Sequence, residues 1–372
     1  MIDKIFKKVV YFISGLIKRN PNKWIFASHT NFGDNARYLF QDKYNPNKIR
    51  KIWIAGNKKE LELVKSLGYE CYLKGTYEAK YHALTSKNFI YTCYVSDIGY
   101  QYSCGANCIN LWHGIPLKKI EFDIESGPLA KKFNATLKSK LKHPEIYRTH
   151  DYVLCPSNYV YQYSFKSAFR LQSNQVLNFP YPRSIYLKTM VKNSNKFEFL
   201  YVPTWRDNQQ NFLDNRTLNL EKINAFCVKH DCLFKIKFHP NTKIDIEVSL
   251  FSNIIIIDNK EDPNQCLVDA DCLITDYSSI FFDYLVFNKP IVFYVFDEEE
   301  YKLNSRAVYP EAEKINCGQK VYTLEKLLVV MTDLLSGQDV YEDERKQTIK
   351  QFGLNFADVD SRKLYQYLIN LQ

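Results

Sequence analysis

Several short motifs that mark common enzyme classes are absent from this chain of 372 residues. It contains no GxxxxGKS or GxxxxGKT loop, no GxGxxG turn, no HExxH pair and no GxSxG turn. These absences argue against a P-loop nucleotide hydrolase, a dinucleotide oxidoreductase, a zinc protease of the HExxH type and an α/β-hydrolase. Any catalytic chemistry must therefore be sought in other residues.

Paired cysteines and long apolar runs are missing as well. The 10 cysteines are scattered, with no CxxC pair and no Cys/His spacing typical of a metal site, which predicts reduced thiols. The apolar run at residues 9–17 is much shorter than the roughly 20 residues that a membrane span needs. No cleavable signal sequence is recognisable, so we expect a cytoplasmic protein.

The composition is that of a soluble globular protein long enough for two domains. Hydrophobic residues make up 46% and charged residues 24%, so each half of the chain can bury a core. Lysine and arginine exceed aspartate and glutamate by 50 to 41, a net charge of +9. This excess favours an anionic partner, such as a phosphorylated substrate, an acidic membrane surface or nucleic acid, and does not choose among them.

The first 20 residues carry an apolar stripe at helical spacing, with lysines and an arginine around it. Such a basic amphipathic helix can lie in the plane of an anionic membrane, or it can dock on its own domain. A second basic segment, residues 121–150, contains five lysines and could be a flexible flap or an anionic-surface contact. A solvated helical surface is the alternative for that segment.

Strand-like and helix-like segments alternate along most of the chain, which predicts parallel sheets with helices on both faces. We expect an N-terminal α/β domain at residues 21–182, a linker at 183–197 and a second α/β domain at 198–355. A helix within 356–372 is expected to cross back to the first domain. The predicted fold class is α/β, with two doubly wound, Rossmann-like domains facing a cleft.

The stretch from residue 272 to residue 296 predicts a strand, a tight turn, a helix and a second strand. Ser278 or Ser279 can cap the helix, and its apolar positions recur at helical spacing. Backbone N–H groups and two hydroxyls at a helix start can also bind phosphate. Capping alone is the simpler alternative.

Cationic side chains follow three other predicted strands. His113 stands on a Gly- and Pro-containing turn and could act as a general base, and Arg206 could bind phosphate with two N–H groups. Alternation places Lys235, Lys237 and His239 on one face of a strand, as a cationic stripe leading to its end. Salt bridges or capping are the alternatives for each residue, but together with the serines they indicate a single phosphate-sized site.

The pair Asp269 and Asp271 resembles a metal-binding DxD motif. It falls between a predicted helix and the next strand, away from the carboxyl ends of the strands. We therefore interpret it as helix-end and turn chemistry and expect no metal.

The ordered motifs resemble the CDP-glycerol glycerophosphotransferase family, whose members build wall teichoic acids and related capsules. The resemblance rests on short stretches spread over most of the chain: Asp34 and Asn35 followed by Arg37 and Tyr38, LWHGIPLKKI at 111–120, FPYPR at 179–183, YVPTWRD at 201–207, KFHP at 237–240 and ITDYSSIFFDY at 274–284. It implies a two-domain GT-B fold and transfer of a polyol phosphate from a CDP-activated donor to a hydroxyl, with release of CMP and without a metal or other cofactor.

By the same resemblance, His113 and His239 match the two motif histidines needed for activity. Ser278 and Ser279 match the serines that bind the donor phosphates, where Arg206 and Lys237 are expected to assist. Further candidates are taken from the same stretches and from the region near the donor site: Asn35, Lys118, Asp276, Asp283 and Arg306.

Two departures from the family pattern bear on specificity. Pro180 and Ser184 stand in the motif that usually reads Gly-Tyr-Pro-Arg followed by Asn or Asp. Residues 306–309 and 316–319 replace the usual Arg-Gly-Phe/Tyr and Pro-Gly-Pro. The second departure concerns the donor polyol, for which glycerol phosphate is the first expectation and ribitol phosphate the second.

The expected function is transfer of glycerol or ribitol phosphate to a lipid-linked or polymer acceptor, on the inner face of the cell membrane. The expected partners are the CDP-polyol, that acceptor and an anionic membrane surface, with no nucleic acid. A GT-B glycosyltransferase using a nucleotide sugar is the nearest alternative. A non-catalytic binder of anionic membrane or nucleic acid is an alternative of another class. The pattern indicates no oligomeric state.

Overall fold

The structure is a computed structural model that describes residues 2–204, 217–238, 251–258, 261, 263–304, 307–354 and 361–371. The chain divides into two units. Unit 1 comprises residues 1–186 and 356–372, and unit 2 comprises residues 187–355.

Unit 1 is built on a parallel sheet. Its described strands are β1 (Asn20–Phe26), β2 (Arg50–Ala55), β3 (Cys71–Leu73), β4 (Ser86–Tyr91), β5 (Asn107–Asn110), β6 (Tyr152–Cys155) and β7 (Val176–Asn178). They pair in the order β3-β2-β1-β4-β5-β6-β7, and every pair is parallel.

Helices connect these strands. In the described part of unit 1 they are α1 (Ile2–Ser14), α2 (Asp34–Gln41), α3 (Lys58–Ser66), α4 (Tyr77–Thr85), α5 (Gly127–Phe133), α6 (Leu137–Lys142), α7 (Pro144–Tyr147), α8 (Asn158–Val160), α9 (Lys166–Ala168) and α10 (Pro182–Leu187). A π-helical turn at Tyr161–Phe165 joins α8 to α9.

Unit 2 repeats this plan. Its described strands are β8 (Phe197–Val202), β9 (Cys232–Ile236), β10 (Ile254–Ile256), β11 (Cys272–Thr275), β12 (Ile291–Tyr294) and β13 (Gln319–Val321), in the order β10-β9-β8-β11-β12-β13. Its described helices are α11 (Leu220–Lys229), α12 (Pro263–Asp269), α13 (Ile280–Tyr284), α14 (Glu298–Asn304), α15 (Pro310–Glu313), α16 (Leu324–Leu335) and α17 (Glu342–Gln351). The last described helix, α18 (Ser361–Asn370), belongs to unit 1.

Burial explains why these strands are central in their sheets. Trp24, Ile25 and Phe26 of β1 have no exposed surface, and all four residues of β11 are buried. Because neighbouring side chains on a strand point to opposite faces, continuous burial requires cover on both faces. The predicted α/β class with doubly wound parallel sheets is confirmed.

The strand order reverses direction once in each sheet. The chain winds outward from β1 towards β3, and then continues from β4 on the other side of β1; β8 and β11 have the same relation in unit 2. In doubly wound sheets, ligands bind outside the carboxyl ends of the strands at such a reversal. The loops after β1 and β4, and after β8 and β11, are therefore the places to look for a site.

The N-terminal helix docks on unit 1 and still exposes apolar side chains. The Tyr11 ring stacks on Tyr100 with centroids 4.9 Å apart, and Arg19 donates to the carbonyl of Tyr102 at 2.6 Å. Yet Phe12 and Leu16 keep 70% and 87% of their surface exposed. Among the described residues no helix combines the length and apolar character needed to cross a bilayer.

Two polar segments contain helices. Residues 121–150 contain α5, α6 and α7, in agreement with the alternative of a helical surface, and Tyr147 joins them by donating to the Lys132 carbonyl at 2.7 Å. The expected linker 183–197 begins within a helix, α10, which ends at Leu187. Proline suits the first turn of a helix, where its missing N–H is not needed.

The C-terminal helix α18 packs on the sheet of unit 1. Tyr365 is fully buried and stacks on Trp24, with ring centroids 5.7 Å apart. Its hydroxyl accepts a hydrogen bond from Lys51 Nζ at 2.7 Å and donates one to the Leu39 carbonyl. These contacts join residues far apart in sequence, so α18 completes the core of unit 1.

Tyr365→Ala should therefore destabilise unit 1 by about 3–5 kcal/mol, the usual cost of removing a large buried aromatic ring. Tyr365→Phe keeps the ring and should cost about 1–2 kcal/mol for the lost hydrogen bonds. Urea unfolding followed by tryptophan fluorescence measures both, with the half-exposed Tyr367→Ala on the same helix as control. Equal effects at positions 365 and 367 would contradict this packing.

Candidate functional site

In unit 1 the chain leaves β5 through a sharply bent turn that presents His113. Trp112 has a φ of +50°, a left-handed conformation that is unfavourable for a residue with a side chain, and Gly114 has a φ of +150°. The Trp112 N–H donates to Asn110 Oδ1 at 2.8 Å. The sequence predicted a turn at the glycine, whereas the strained residue is the tryptophan before the histidine.

Asn35 holds this turn from α2. Its side chain is fully buried, and Nδ2 donates to the carbonyl of Trp112 at 2.9 Å and to that of Leu111 at 3.3 Å. A buried amide with satisfied partners restrains the backbone that it contacts. The predicted candidate Asn35 therefore lies directly against the turn of His113.

Arg183, the last residue of the FPYPR stretch, contacts the same turn. Its Nη1 forms an ion pair with Asp34 Oδ1 at 2.7 Å, and its Nη2 donates to the His113 carbonyl at 3.0 Å. Its backbone N–H donates to Asn35 Oδ1 at 3.2 Å. Asp34 and Arg183 lie in the stretches that carry the family resemblance, but the sequence analysis did not select them as site residues. Their position in those stretches is the signal that could have identified them.

The His113 ring is oriented by the end of β4. Its Nδ1 donates to the Thr92 carbonyl at 3.1 Å, which leaves Nε2 as the basic nitrogen of the neutral ring. Nε2 has no hydrogen-bond partner in the described parts of the chain. The hydroxyl of Thr92 lies 3.1 Å from that of Ser28, which follows β1, so the ring lies at the strand-order reversal.

The environment of the ring keeps it neutral. Although the residue retains an exposed surface, the surrounding protein disfavours the charged form and lowers the pKa of His113. The Thr92 carbonyl and Asp34 oppose this shift, whereas Arg183 adds to it. A neutral, accessible imidazole nitrogen at pH 7 can accept a proton.

A second histidine supports the turn from inside the domain. His150 is surrounded by protein, and burial lowers its pKa to about 3. Its ring nitrogens lie 2.7 Å from the Tyr91 hydroxyl and 3.3 Å from Asn110 Nδ2. Because Asn110 Oδ1 receives the Trp112 N–H, His150 reaches the turn through Asn110. No motif in the sequence had indicated His150.

At the corresponding strand-order reversal in unit 2, Asp276 joins the ends of two strands. This buried carboxylate accepts hydrogen bonds from the Thr204 N–H at 2.9 and 3.0 Å and from the Thr204 hydroxyl. Thr204 follows β8 and Asp276 follows β11, so the carboxylate ties together the carboxyl ends of two adjacent strands. The candidate Asp276 thus lies at the strand-order reversal of unit 2.

The two serines follow Asp276 and differ in their contacts. Ser278 is half-buried, and its hydroxyl accepts the Ile280 N–H at 3.3 Å. Ser279 precedes α13 but makes no capping hydrogen bond through its side chain. The helix is also shorter than expected, with only five residues before a 3₁₀ turn at Leu285–Phe287.

The predicted cationic stripe on β9 is wrong in one respect. Lys235 forms an ion pair with the buried Glu198 at 2.6 Å, so its charge is neutralised inside unit 2. Lys237 is also buried, and its Nζ donates to the Asp258 carbonyl at 3.0 Å. Strand alternation predicts which face Lys235 lies on, but it does not reveal that Glu198 of the neighbouring strand neutralises its charge.

The remaining candidates are placed as follows. Asp283 lies on α13, and Lys118 lies in the half-buried loop that follows His113. Three candidates, Arg206, His239 and Arg306, lie outside the described residues.

The DxD pair is engaged by the protein. Asp269 Oδ1 accepts from the Asn193 N–H at 2.9 Å, and Asp271 pairs with Lys192 and accepts the Glu198 N–H at 2.9 Å. Both carboxylates thus anchor residues 192–198 to the rest of unit 2. In the described ranges, no group of three or more His, Cys, Asp or Glu side chains is arranged to hold a metal ion.

Comparison with known proteins identifies the family. The profile described as CDP-Glycerol:Poly(glycerophosphate) glycerophosphotransferase matches residues 9–370. The chain belongs to this family. The enzyme class predicted from the motifs, a transferase that uses a CDP-activated polyol phosphate, is thereby confirmed.

Individual relatives agree with this assignment. A teichoic acid poly(glycerol phosphate) polymerase of Bacillus spizizenii is 27% identical over 351 residues, covering 86% of this chain and 85% of its own. A teichoic acid ribitol-phosphate polymerase of Staphylococcus aureus is 32% identical over 150 residues, covering 39% and 28% of the two chains. The solved wall teichoic acid polymerase TagF has a TM-score of 0.77 at 22% identity, covering 98% of this chain and 92% of its own, and this likeness supports the GT-B type of fold.

The environment of His113 leads to a prediction for its ionisation. Its pKa should lie below the ordinary histidine value, and Arg183→Gln should raise it, because a nearby cation is lost and Asp34 is left unpaired. NMR titration of the ring protons measures the shift, with the His113→Ala spectrum providing the assignment.

Arg50→Gln is the matched control, since Arg50 pairs with Glu70 at the amino end of β2. That variant should leave the titration of His113 unchanged. A wild-type pKa above the ordinary value, or no response to Arg183→Gln, would contradict the proposed environment.

Proposed function

We propose that this enzyme transfers glycerol phosphate from CDP-glycerol to a hydroxyl of a lipid-linked or polymer acceptor and releases CMP. The observation that carries the proposal is the His113 turn, where Nδ1 is held by the Thr92 carbonyl and Nε2 is available as a base. Membership of the family supports the donor class. CDP-ribitol is the second candidate donor, because a poly(glycerol phosphate) polymerase and a ribitol-phosphate polymerase are both similar to this chain.

In the proposed reaction, His113 Nε2 accepts the proton of the acceptor hydroxyl. The oxygen then forms a bond to the β-phosphorus of the donor, and the bond from that phosphorus to CMP breaks, so that CMP leaves with the bonding electrons. Asn35 and Arg183 act as positioning residues, because they contact the backbone on either side of the His113 ring.

Unit 2 is proposed to bind the donor at the loops after β8, β9 and β11. Ser278 and Ser279 would donate their hydroxyls to the phosphates, and Asp276 holds the loop in place through Thr204. Lys237, and by the family resemblance Arg206 and His239, would stabilise the negative charge that develops on the phosphate oxygens. Phosphoryl transfer depends mainly on such positioning and electrostatics.

The test is a donor panel of CDP-glycerol, CDP-ribitol and several nucleotide sugars, with product nucleotides separated by chromatography. CMP released from CDP-glycerol in the presence of acceptor supports the proposal. A nucleoside diphosphate released from a nucleotide sugar would instead establish a glycosyltransferase. Absence of turnover with every donor would favour a non-catalytic binder.

His113→Ala should lower kcat by about 10²–10⁴-fold, the usual contribution of a general base. Donor affinity should change little, because the acceptor hydroxyl, not the donor, loses its proton to this residue. Stopped assays of CMP release and donor titration by calorimetry measure the two quantities. His230→Asn is the control, and full activity of His113→Ala would refute the assignment.

We further propose that the enzyme acts in the cytoplasm, with α1 resting on the inner face of the membrane. Exposed Phe12 on α1 and exposed Leu16 just after it, together with the lysines of α1, suit an interfacial helix. Phe12→Ser with Leu16→Ser should weaken binding to anionic vesicles about tenfold or more, since two large apolar side chains would no longer enter the lipid. Flotation with vesicles measures this binding.

The matched control changes two exposed leucines elsewhere on unit 1. Leu63 and Leu67, 50% and 47% exposed, lie at the end of α3 and in its C-terminal cap. Leu63→Ser with Leu67→Ser should bind vesicles as the wild type does. Equal losses in the two double variants would contradict a specific role for α1.

A further inference from the structure

A cavity of about 300 Å³ lies beside the N-terminal helix, formed by residues that belong to none of the motifs. Its walls come from α1, from the turn after β3, from α4 and from residues 98–102. Three of its lining residues are lysines, Lys7, Lys74 and Lys80, and none of the lining residues is acidic. The volume is at the lower end of the range usual for small-ligand pockets, about 300–1,000 Å³.

The lining of the cavity also contains apolar side chains. Phe6 and Val10 of α1 line it together with Ile98 and Tyr102, and Ile98 is almost completely buried. The cavity thus combines positive charge with hydrocarbon surface. This combination fits an amphiphilic anion better than a simple inorganic ion.

One of the three lysines is held in place by a hydrogen bond. Lys74 Nζ donates to the Ser96 carbonyl, which fixes its ammonium group beside the cavity. Although Lys74 retains an exposed surface, the surrounding protein lowers its pKa and Lys7 lowers it further, whereas the half-buried Asp97 opposes both. The repulsion between Lys7 and Lys74 would be relieved by a bound anion.

The cavity is continuous with the exposed apolar stripe of α1. Phe6, Val9, Val10 and Ile13 share one helix face at spacings of three, four and seven residues. Phe6 and Val10 line the cavity, and Phe6, Val9 and Ile13 each keep half or more of their surface exposed. A ligand with its anionic group in the cavity could therefore extend a hydrocarbon chain along the helix.

We propose that the cavity formed by Lys7, Lys74 and Lys80 binds the phosphate head group of an anionic lipid, with the acyl chains along α1. This proposal rests on the membrane contact proposed above and adds a discrete site to it. A site of this kind would select for a lipid phosphate, whereas a merely cationic surface responds only to charge density.

The first experiment compares two double variants that each remove two lysines. Lys74→Gln with Lys80→Gln changes the cavity, and Lys58→Gln with Lys65→Gln changes two exposed lysines of α3. Vesicles contain phosphatidylcholine with either phosphatidylglycerol or a carboxylate lipid at equal surface charge. Thermal unfolding verifies that both variants are folded.

The wild type should bind the phosphatidylglycerol vesicles at least about tenfold more tightly than the carboxylate vesicles. The cavity variant should lose this preference, and the α3 variant should keep it. Equal affinity of the wild type for both vesicles, or equal losses in both variants, would overturn the site. If vesicle binding still depends on Phe12 and Leu16 in that case, the membrane contact stands and only the cavity site fails.

A local readout identifies the source of the phosphate. Short-chain phosphatidylglycerol below its micelle concentration, and inorganic phosphate separately, are titrated into protein labelled at isoleucine methyl groups. The lipid should shift the Ile98 signal while leaving the core Ile54 signal unchanged, and Lys74→Gln with Lys80→Gln should abolish the shift. A response to inorganic phosphate alone, or none at Ile98, would overturn the lipid assignment.

Discussion

A buried amide holds the part of the structure on which the site depends. Trp112 adopts a left-handed backbone conformation that costs about 1–2 kcal/mol for a residue with a side chain. Two hydrogen bonds stabilise this conformation: Asn35 donates to the Trp112 carbonyl, and Asn110 Oδ1 accepts the N–H of the same residue. Each such hydrogen bond contributes about 0.5–1.5 kcal/mol, enough to offset the strain. The next residue, His113, places its ring against the Thr92 carbonyl at the end of β4.

The same position in the two sheets is used in different ways. In unit 1 the strand-order reversal carries Ser28, Thr92 and the His113 ring, whose Nδ1 is held by the Thr92 carbonyl. In unit 2 it carries Thr204 and Asp276, which bind each other and so tie the ends of β8 and β11 together. The first arrangement leaves a ring nitrogen for proton transfer in the proposed reaction, whereas the second consumes its polar groups in holding adjacent strand ends.

Much of the fold could be predicted from the sequence, because strand and helix patterns are local. The buried run of β11 and the helix α18 lie close to where the pattern placed them. Short elements were less predictable: α10, with only six residues, was not expected, and α13 ends after five. Such elements are stabilised by distant contacts, as α10 is by the hydrogen bond between Arg183 and Asn35.

The sequence by itself determined the family and the alternation of strands and helices, because motif order and hydrophobic spacing are properties of the chain. Only the tertiary structure decided which charged side chains are engaged by other residues of the chain. It paired Lys235 with Glu198, engaged Asp269 and Asp271 with backbone and lysine partners, and joined Asp34, Asn35 and Arg183 around His113. Ion pairs and hydrogen bonds depend on distances of a few ångströms between residues far apart in sequence, and those distances exist only after folding.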